Sequence, residues 1–182
     1  ERAGALVVRA EAAGSASWLT FRLVVPSADA RVLRCRLKVD RLPQGADVSK
    51  QLVDDAPARV YVTFQHDPAR LAPVERIVYE TTRALYGEAP PHAGLMYVWD
   101  TAGTAGPTFW NPYTRRVRTI VVEGGRARLG QWLAYERDVV ADYRAAFGED
   151  PPPISGVAIM TDADNTGDRA SAWFGDVSLA PK

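Results

Sequence analysis

The sequence predicts a mainly β protein, an antiparallel β-sandwich of jelly-roll type carrying two short helices. Three observations predict it. Nine short runs alternate apolar and polar residues with the period of two that a half-buried strand requires, and Gly, Pro, Asp or Asn bounds each of them. Only two segments keep the 3.6-residue period of a helix. At 182 residues the chain is long enough for one domain, 1–182, with a real core, and too short for two large ones.

The strand runs follow one another along the chain. "LVVRAE" and "SWLTFRLVV" open it, and "RVLRCRLKVD" sets Leu33, Cys35, Leu37 and Val39 against Arg34, Arg36 and Lys38. "ARVYVTFQ", "GLMYVWD", "RRVRTIVVE", "QWLAYERDV", "SGVAIMTD" and "SAWFGDVSLA" complete the set, all rich in β-branched or aromatic residues that suit a pleated surface. The first helix is expected in "LAPVERIVYETTRALYG". There Val74, Ile77, Val78, Thr81 and Leu85 share a face meant for the sheets, Pro73 is tolerated at the start and Gly87 ends the run. The second is expected in "RDVVADYRAAFGED". Asp138 caps it, Val139, Tyr143 and Phe147 stack at four-residue intervals, and Gly148 stops it. The Pro-rich stops "GEAPPHAG" and "GEDPPPISG" stand directly before strands, so neither divides the chain.

Composition excludes several classes. The formal net charge is zero, which gives no general pull on nucleic acid or an anionic membrane surface. No apolar run approaches the roughly 18 residues of a membrane span. The chain opens on "ALVVRA", a strand already under way, and this points to a leader or short preceding segment that has been removed. A single cysteine, Cys35, allows neither an internal disulfide nor a thiolate metal cluster, and its place in an alternating run reads as an inert core thiol. There is no phosphate loop, dinucleotide fingerprint, serine elbow or zinc helix. His66 and His92 stand apart in turn-like surroundings and read as solvated loop residues.

Three groups of residues carry chemistry. In "TDADNTGD" the acids Asp162, Asp164 and Asp168 concentrate oxygen in one loop. Trp173 stands where the twelfth-position Glu of an EF-hand belongs, so the loop is either a site for one structural calcium, completed by oxygens from elsewhere, or a hairpin connection with Gly167 at positive φ. Next, Asp55 precedes a strand on which Arg59 and Tyr61 share a face, while Trp99 offers a second ring from "GLMYVWD" and Arg137 a further guanidinium. If these strands are neighbours, an open face of Arg and aromatic side chains suits a sugar, an acidic one included, because rings stack on C–H faces and forked donors grip hydroxyls or carboxylates. Against this stands a solvated face laced with cross-strand ion pairs. Finally, Glu136, Asp138 and Asp142 supply paired carboxylates for acid–base work on a glycosidic bond, or simply a helix cap and its ion pairs.

With "DDAPARVYVTF", "YVW", "ERDVVADYRAAFGE" and "GVAIMTDADNTGDRASAWFGDVSL", the chain from about Asp54 onward resembles a bacterial domain family of unknown function. The resemblance implies export to the envelope or periplasm and no assigned activity. The closing "AWFGDVSL" is also similar to the end of galactose-binding-like jelly rolls, many of which are noncatalytic carbohydrate-binding modules. The expected function is therefore a noncatalytic envelope or secreted domain that binds a carbohydrate. The alternatives are a glycan-active enzyme using paired carboxylates and a structural or protein-interaction module.

Overall fold

The computed structural model describes residues 6–65, 71–86 and 92–182. Ten strands and two helices follow in the order β1 (Val7–Ala13), β2 (Ala16–Val25), β3 (Val32–Arg41), β4 (Ala58–Phe64), α1 (Pro73–Tyr86), β5 (Ala93–Asp100), β6 (Thr108–Asn111), β7 (Thr114–Gly124), β8 (Leu133–Asp138), α2 (Val139–Phe147), β9 (Ile154–Asp162) and β10 (Arg169–Ala180). They form a two-sheet sandwich, with a four-stranded sheet ordered β1-β10-β3-β8 and a six-stranded sheet ordered β2-β9-β4-β5-β7-β6. All nine expected runs are strands. The addition is β6, "TFWN", too short to show a period by itself. Pairings are antiparallel except that β5 and β7 run parallel, because β6 intervenes in the chain and pairs on the far side of β7.

The alternation read from the sequence decides the core. Leu33, Cys35, Leu37 and Val39 of β3 face Val60, Val62 and Phe64 of β4 and Leu95, Tyr97 and Trp99 of β5 across the sheets, all in one apolar cluster. Cys35 is free and buried, and burial pushes its thiol up to about 12. Such a thiol stays protonated and inert, as expected.

The helices divide. For α2, the Asp138 carboxylate accepts from the Ala141 N–H at 3.0 Å, and Gly148 at φ 75° ends the helix with its own N–H on the Arg144 carbonyl. Tyr143 packs on Phe64 with ring centroids 4.6 Å apart, and Phe147 meets Trp110 of β6, so α2 fills the wider sheet where β8 stops covering it. The capping chemistry is local, and the sequence shows it. Helix α1 corrects an expectation. Val74, Ile77 and Val78 do not pack on the sheets but stand 73%, 67% and 58% exposed. His66, Gly87 and the side chain of Leu85 lie outside the described residues.

Trp99→Ala is therefore expected to cost roughly 3 to 5 kcal/mol in urea unfolding, as for other large-to-small core changes. Ile77→Ala on α1 should stay within about 0.5 kcal/mol of the parent, as an exposed change does.

Candidate functional site

Register settles the proposed Arg–aromatic face. Across the β4–β5 pair, Ala58 opposes Trp99, Val60 opposes Tyr97, Arg59 opposes Val98 and Tyr61 opposes Met96. Opposed residues share a face, so Trp99 points into the core while Arg59 and Tyr61 point out the other side. Trp99 is fully buried, with its indole N–H on the Gly125 carbonyl at 3.2 Å. The expected grouping of Arg59, Tyr61 and Trp99 on one open face is thus corrected. Tyr61 is half-buried, lying flat across Gly94, where a Cβ would meet the ring at 2.1 Å. Burial pushes its phenol up to about 12.

Arg59 is the centre of a buried charge network. Its guanidinium pairs with Asp162 at 3.0 Å and Asp54 at 3.5 Å, and it also donates to the Asp54 carbonyl. Asp162 takes the Ala56 N–H at 2.6 Å on its other oxygen, and the neighbouring Thr161 hydroxyl donates to the Pro57 carbonyl. Asp55, wholly buried, accepts from the Asn165 N–H at 3.1 Å and from the Thr166 N–H and hydroxyl at 2.7 and 2.5 Å. The Asn165 amide, turned so that both its ends are satisfied, donates to Asp54 at 3.1 Å and Asp55 at 3.3 Å. Segment 54–57 and loop 162–168, more than a hundred residues apart in sequence, are locked together over the end of β4. The segment 46–56 then covers the outer side of β5 and β7 with Val48 and Ala56 packed on Val98 and Val121.

This arrangement revises the metal expectation. Carboxylate oxygens of Asp55, Asp162 and Asp164 lie within 4.8 Å of one another. Asp168 is not with them: it turns to the other side, accepting from the Gln44 N–H at 2.7 Å and pairing with Arg41 at 3.3 Å. Calcium at this cluster would compete with donors already in place. Asp55 and Asp162 already receive N–H, O–H and guanidinium donors on both oxygens, and Arg59 stands beside Asp162 as the compensating cation. A second cation there would meet its charge instead of the six to eight open oxygens calcium takes. Loop 162–168 also joins a strand of one sheet to a strand of the other, so it is an inter-sheet connection in place of the hairpin expected, with Gly167 at φ 69°.

The candidate acid–base pair is occupied in the same way. Arg137 grips Asp142 with two bonds of 3.0 and 2.6 Å, and the Tyr97 hydroxyl donates to the same carboxylate at 2.9 Å while its ring lies under the guanidinium. Arg137 therefore pairs within its own helix entry, not with Asp54, Asp55 or Asp162. Asp138 caps α2 and binds Arg31 at 2.7 Å, which holds its carboxyl well below the usual range. Asp55 and Arg59 are brought together, whereas Tyr61, Trp99 and Arg137 each lie elsewhere.

What the sequence reading missed is the outer face of the four-stranded sheet. Arg9 of β1, Trp173 of β10 and Lys38 of β3 are in register across three strands, and Trp132, just before β8, continues the row. Arg9 and Lys38 flank the Trp173 ring at 5.3 and 4.7 Å, and Arg36 and Lys38 approach Trp132 at 5.1 and 5.9 Å. Trp132 has room because Gly175 lies beneath it, where a Cβ would come within 3.5 Å of the ring. A β-bulge follows, with Asp176 at φ 51° aiming its carboxylate at Arg36, and Trp173 donates to Asp40 at 2.6 Å. The signal in the sequence was the basic row Arg34, Arg36 and Lys38. Its aromatic partners come from positions 94 or more residues away, and spacing within one run does not reveal them.

The fold and these sites define a two-sheet β-sandwich whose internal charges serve its own architecture and whose four-stranded sheet carries half-buried tryptophans and cations on its outer face. Residues 1–178 match the model of the family described as "Protein of unknown function (DUF3047)", and the chain belongs to that family. No curated protein matches the chain.

Burial and the neighbouring acids raise the Asp162 carboxyl to about 6 and raise Asp54 as well, against the pull of Arg59. A carboxyl raised in the folded state adds stability below its unfolded value near 4, and loses it as pH rises through the folded value. Urea unfolding is thus expected to show higher stability at pH 5 than at pH 7.5, by on the order of 1 to 3 kcal/mol, and Asp162→Asn should remove most of that difference, leaving the share of Asp54. Arg59→Met should cost roughly 3 to 5 kcal/mol at pH 7.5, because it strands two buried carboxylates, and less at pH 5, where Asp162 takes up a proton.

Proposed function

We propose that this chain is a noncatalytic domain that binds a carbohydrate, and that the outer face of the four-stranded sheet is its binding surface. The observation that carries the reading is the row Arg9, Trp173, Lys38, Trp132, a half-buried strip on the outer face that interleaves aromatic edges with cationic donors. Sugar recognition needs this mixture, since apolar C–H groups and hydroxyls alternate around a pyranose ring. Each cation of the face has an acid beside it: Arg9 with Glu11, Arg34 with Glu136, Arg36 with Asp176 and Lys38 with Asp40. Such pairs offer donors and acceptors side by side with little net field, which favours a hydroxyl-rich sugar over a polyanion. Catalysis is the weaker reading, because Asp138 and Asp142 are spent on a helix cap and on bonds to Arg31, Arg137 and Tyr97. An exported location, implied by the family resemblance, belongs to the same proposal. No described helix is long and apolar enough to cross a membrane.

Binding to a panel of immobilised neutral and acidic polysaccharides tests this. Trp173→Ala and Trp132→Ala should each weaken the best binder by about 5- to 30-fold, equivalent to roughly 1 to 2 kcal/mol, while the melting temperature moves by only a few degrees. Binding unchanged in both variants would remove the face from consideration. Turnover of a polysaccharide lost in Asp142→Asn would replace the proposal with an enzyme.

A further inference from the structure

The sandwich does not close along one side. β1 is the outer strand of the four-stranded sheet and β2 that of the six-stranded sheet, and between them lies an apolar cleft of about 1040 Å³ lined by Val8, Leu19, Phe21, Ile159, Phe174 and Leu179 among others. The register of β2 on β9 puts Leu19 opposite Ile159 and Phe21 opposite Val157, so both point toward the other sheet. They are nevertheless 61% and 71% exposed. On the reverse side of the same strand Trp18 and Val24 are exposed as well.

β2 is ten residues long, contains no proline, carries Arg22 as its one charged residue, and shifts its register on β9 once, between Arg22 and Val25. Charge and a bulge blunt a long edge strand, and here both fall in its C-terminal part; the run before them, with Trp18 on one face and Leu19 and Phe21 on the other, is left as a template for another strand. A small apolar ligand in the cleft would meet only Leu19, Phe21 and their neighbours. A strand added at the edge meets both faces and the main-chain groups of β2 at once.

We propose that two copies of this chain associate through β2, paired antiparallel about a twofold axis at Phe21, so that the six-stranded sheets merge and each copy covers the other's cleft. In that register Phe21 meets its equivalent and Leu19 meets Leu23 on the inner face, while Trp18 meets Val24 on the outer face. Arg22 falls opposite Thr20 and not opposite its own copy. Every large apolar side chain of β2 but Val25 finds an apolar partner, which is the self-complementarity a twofold interface demands. The area suffices. Leu6, Val7, Val8, Trp18, Leu19, Phe21 and Val24 expose on the order of 900 Å² per copy, above the largest apolar patch of an ordinary monomer and close to the roughly 800 Å² per partner of a standard interface.

Sedimentation equilibrium and native mass spectrometry of the full 182-residue chain, up to about 100 μM, should show a dimer. Phe21→Glu should give a monomer with unchanged far-ultraviolet circular dichroism, since the side chain is largely solvent-exposed within one copy. Phe21→Cys should form an intermolecular disulfide under mild oxidation, because antiparallel partners on the axis bring their Cα atoms to about 4.5 to 5.5 Å. Thr108→Cys on β6, at the opposite edge, should not, and the buried Cys35 does not compete. A parent chain that stays monomeric, a dimer that survives Phe21→Glu, or a monomer that carries a bound lipid in native mass spectra would each overturn the proposal.

Discussion

The salt bridge between Arg59 and Asp162, buried at the end of β4, is the constraint on which the rest of the six-stranded sheet's outer side depends. A guanidinium taken out of water costs several kcal/mol unless carboxylates and carbonyls surround it. Here the surrounding groups come from segment 54–57 and from the end of β9. Neither stretch of chain can leave without exposing an unpaired charge. The network therefore fixes where segment 46–56 lies over β5 and β7, and it holds loop 162–168 through Asp55. That loop leads the chain from one sheet to the other, so the bridge also sets where β10 begins.

The same economy governs the other polar motifs. Asp55, Asp142 and Asp138 are each saturated by donors within the chain: backbone N–H groups for the first, Arg137 and Tyr97 for the second, Arg31 and a helix N-terminus for the third. A general acid or base needs a proton to exchange with a substrate, and a metal ligand needs an open lone pair. Groups committed to internal partners have little of either.

Exposed chemistry lies on surfaces that internal architecture does not use. The outer face of the four-stranded sheet carries tryptophans held between cations, and it is rigid because three hydrogen-bonded strands place its members in register. The edge of β2 is different in kind, apolar on both faces and without a further partner among the described strands. β1 takes part in both, with Arg9 on the outer face and Val7 and Val8 lining the cleft.

The sequence by itself determined nine of the ten described strands, the second helix with both of its caps, and the burial of Cys35. These follow from a period of two, from Asp138 and Gly148 at the helix ends and from an apolar environment within one run, all of which act over a few residues. Only the tertiary structure decided which residues meet. Alternation assigns Trp99 and Tyr61 to faces of their own strands, but the pairing of Ala58 with Trp99 is what sends that tryptophan inward and leaves Arg59 on the opposite side. Likewise the acids of "DADNTGD" are legible as acids. That Asp55, 111 residues before Thr166, would hold the loop, and that Asp168 would turn to Gln44, is decided by sheet order. A strand's two faces are equivalent in sequence until its neighbours are known, and those neighbours are contributed by segments too distant for any local pattern to name.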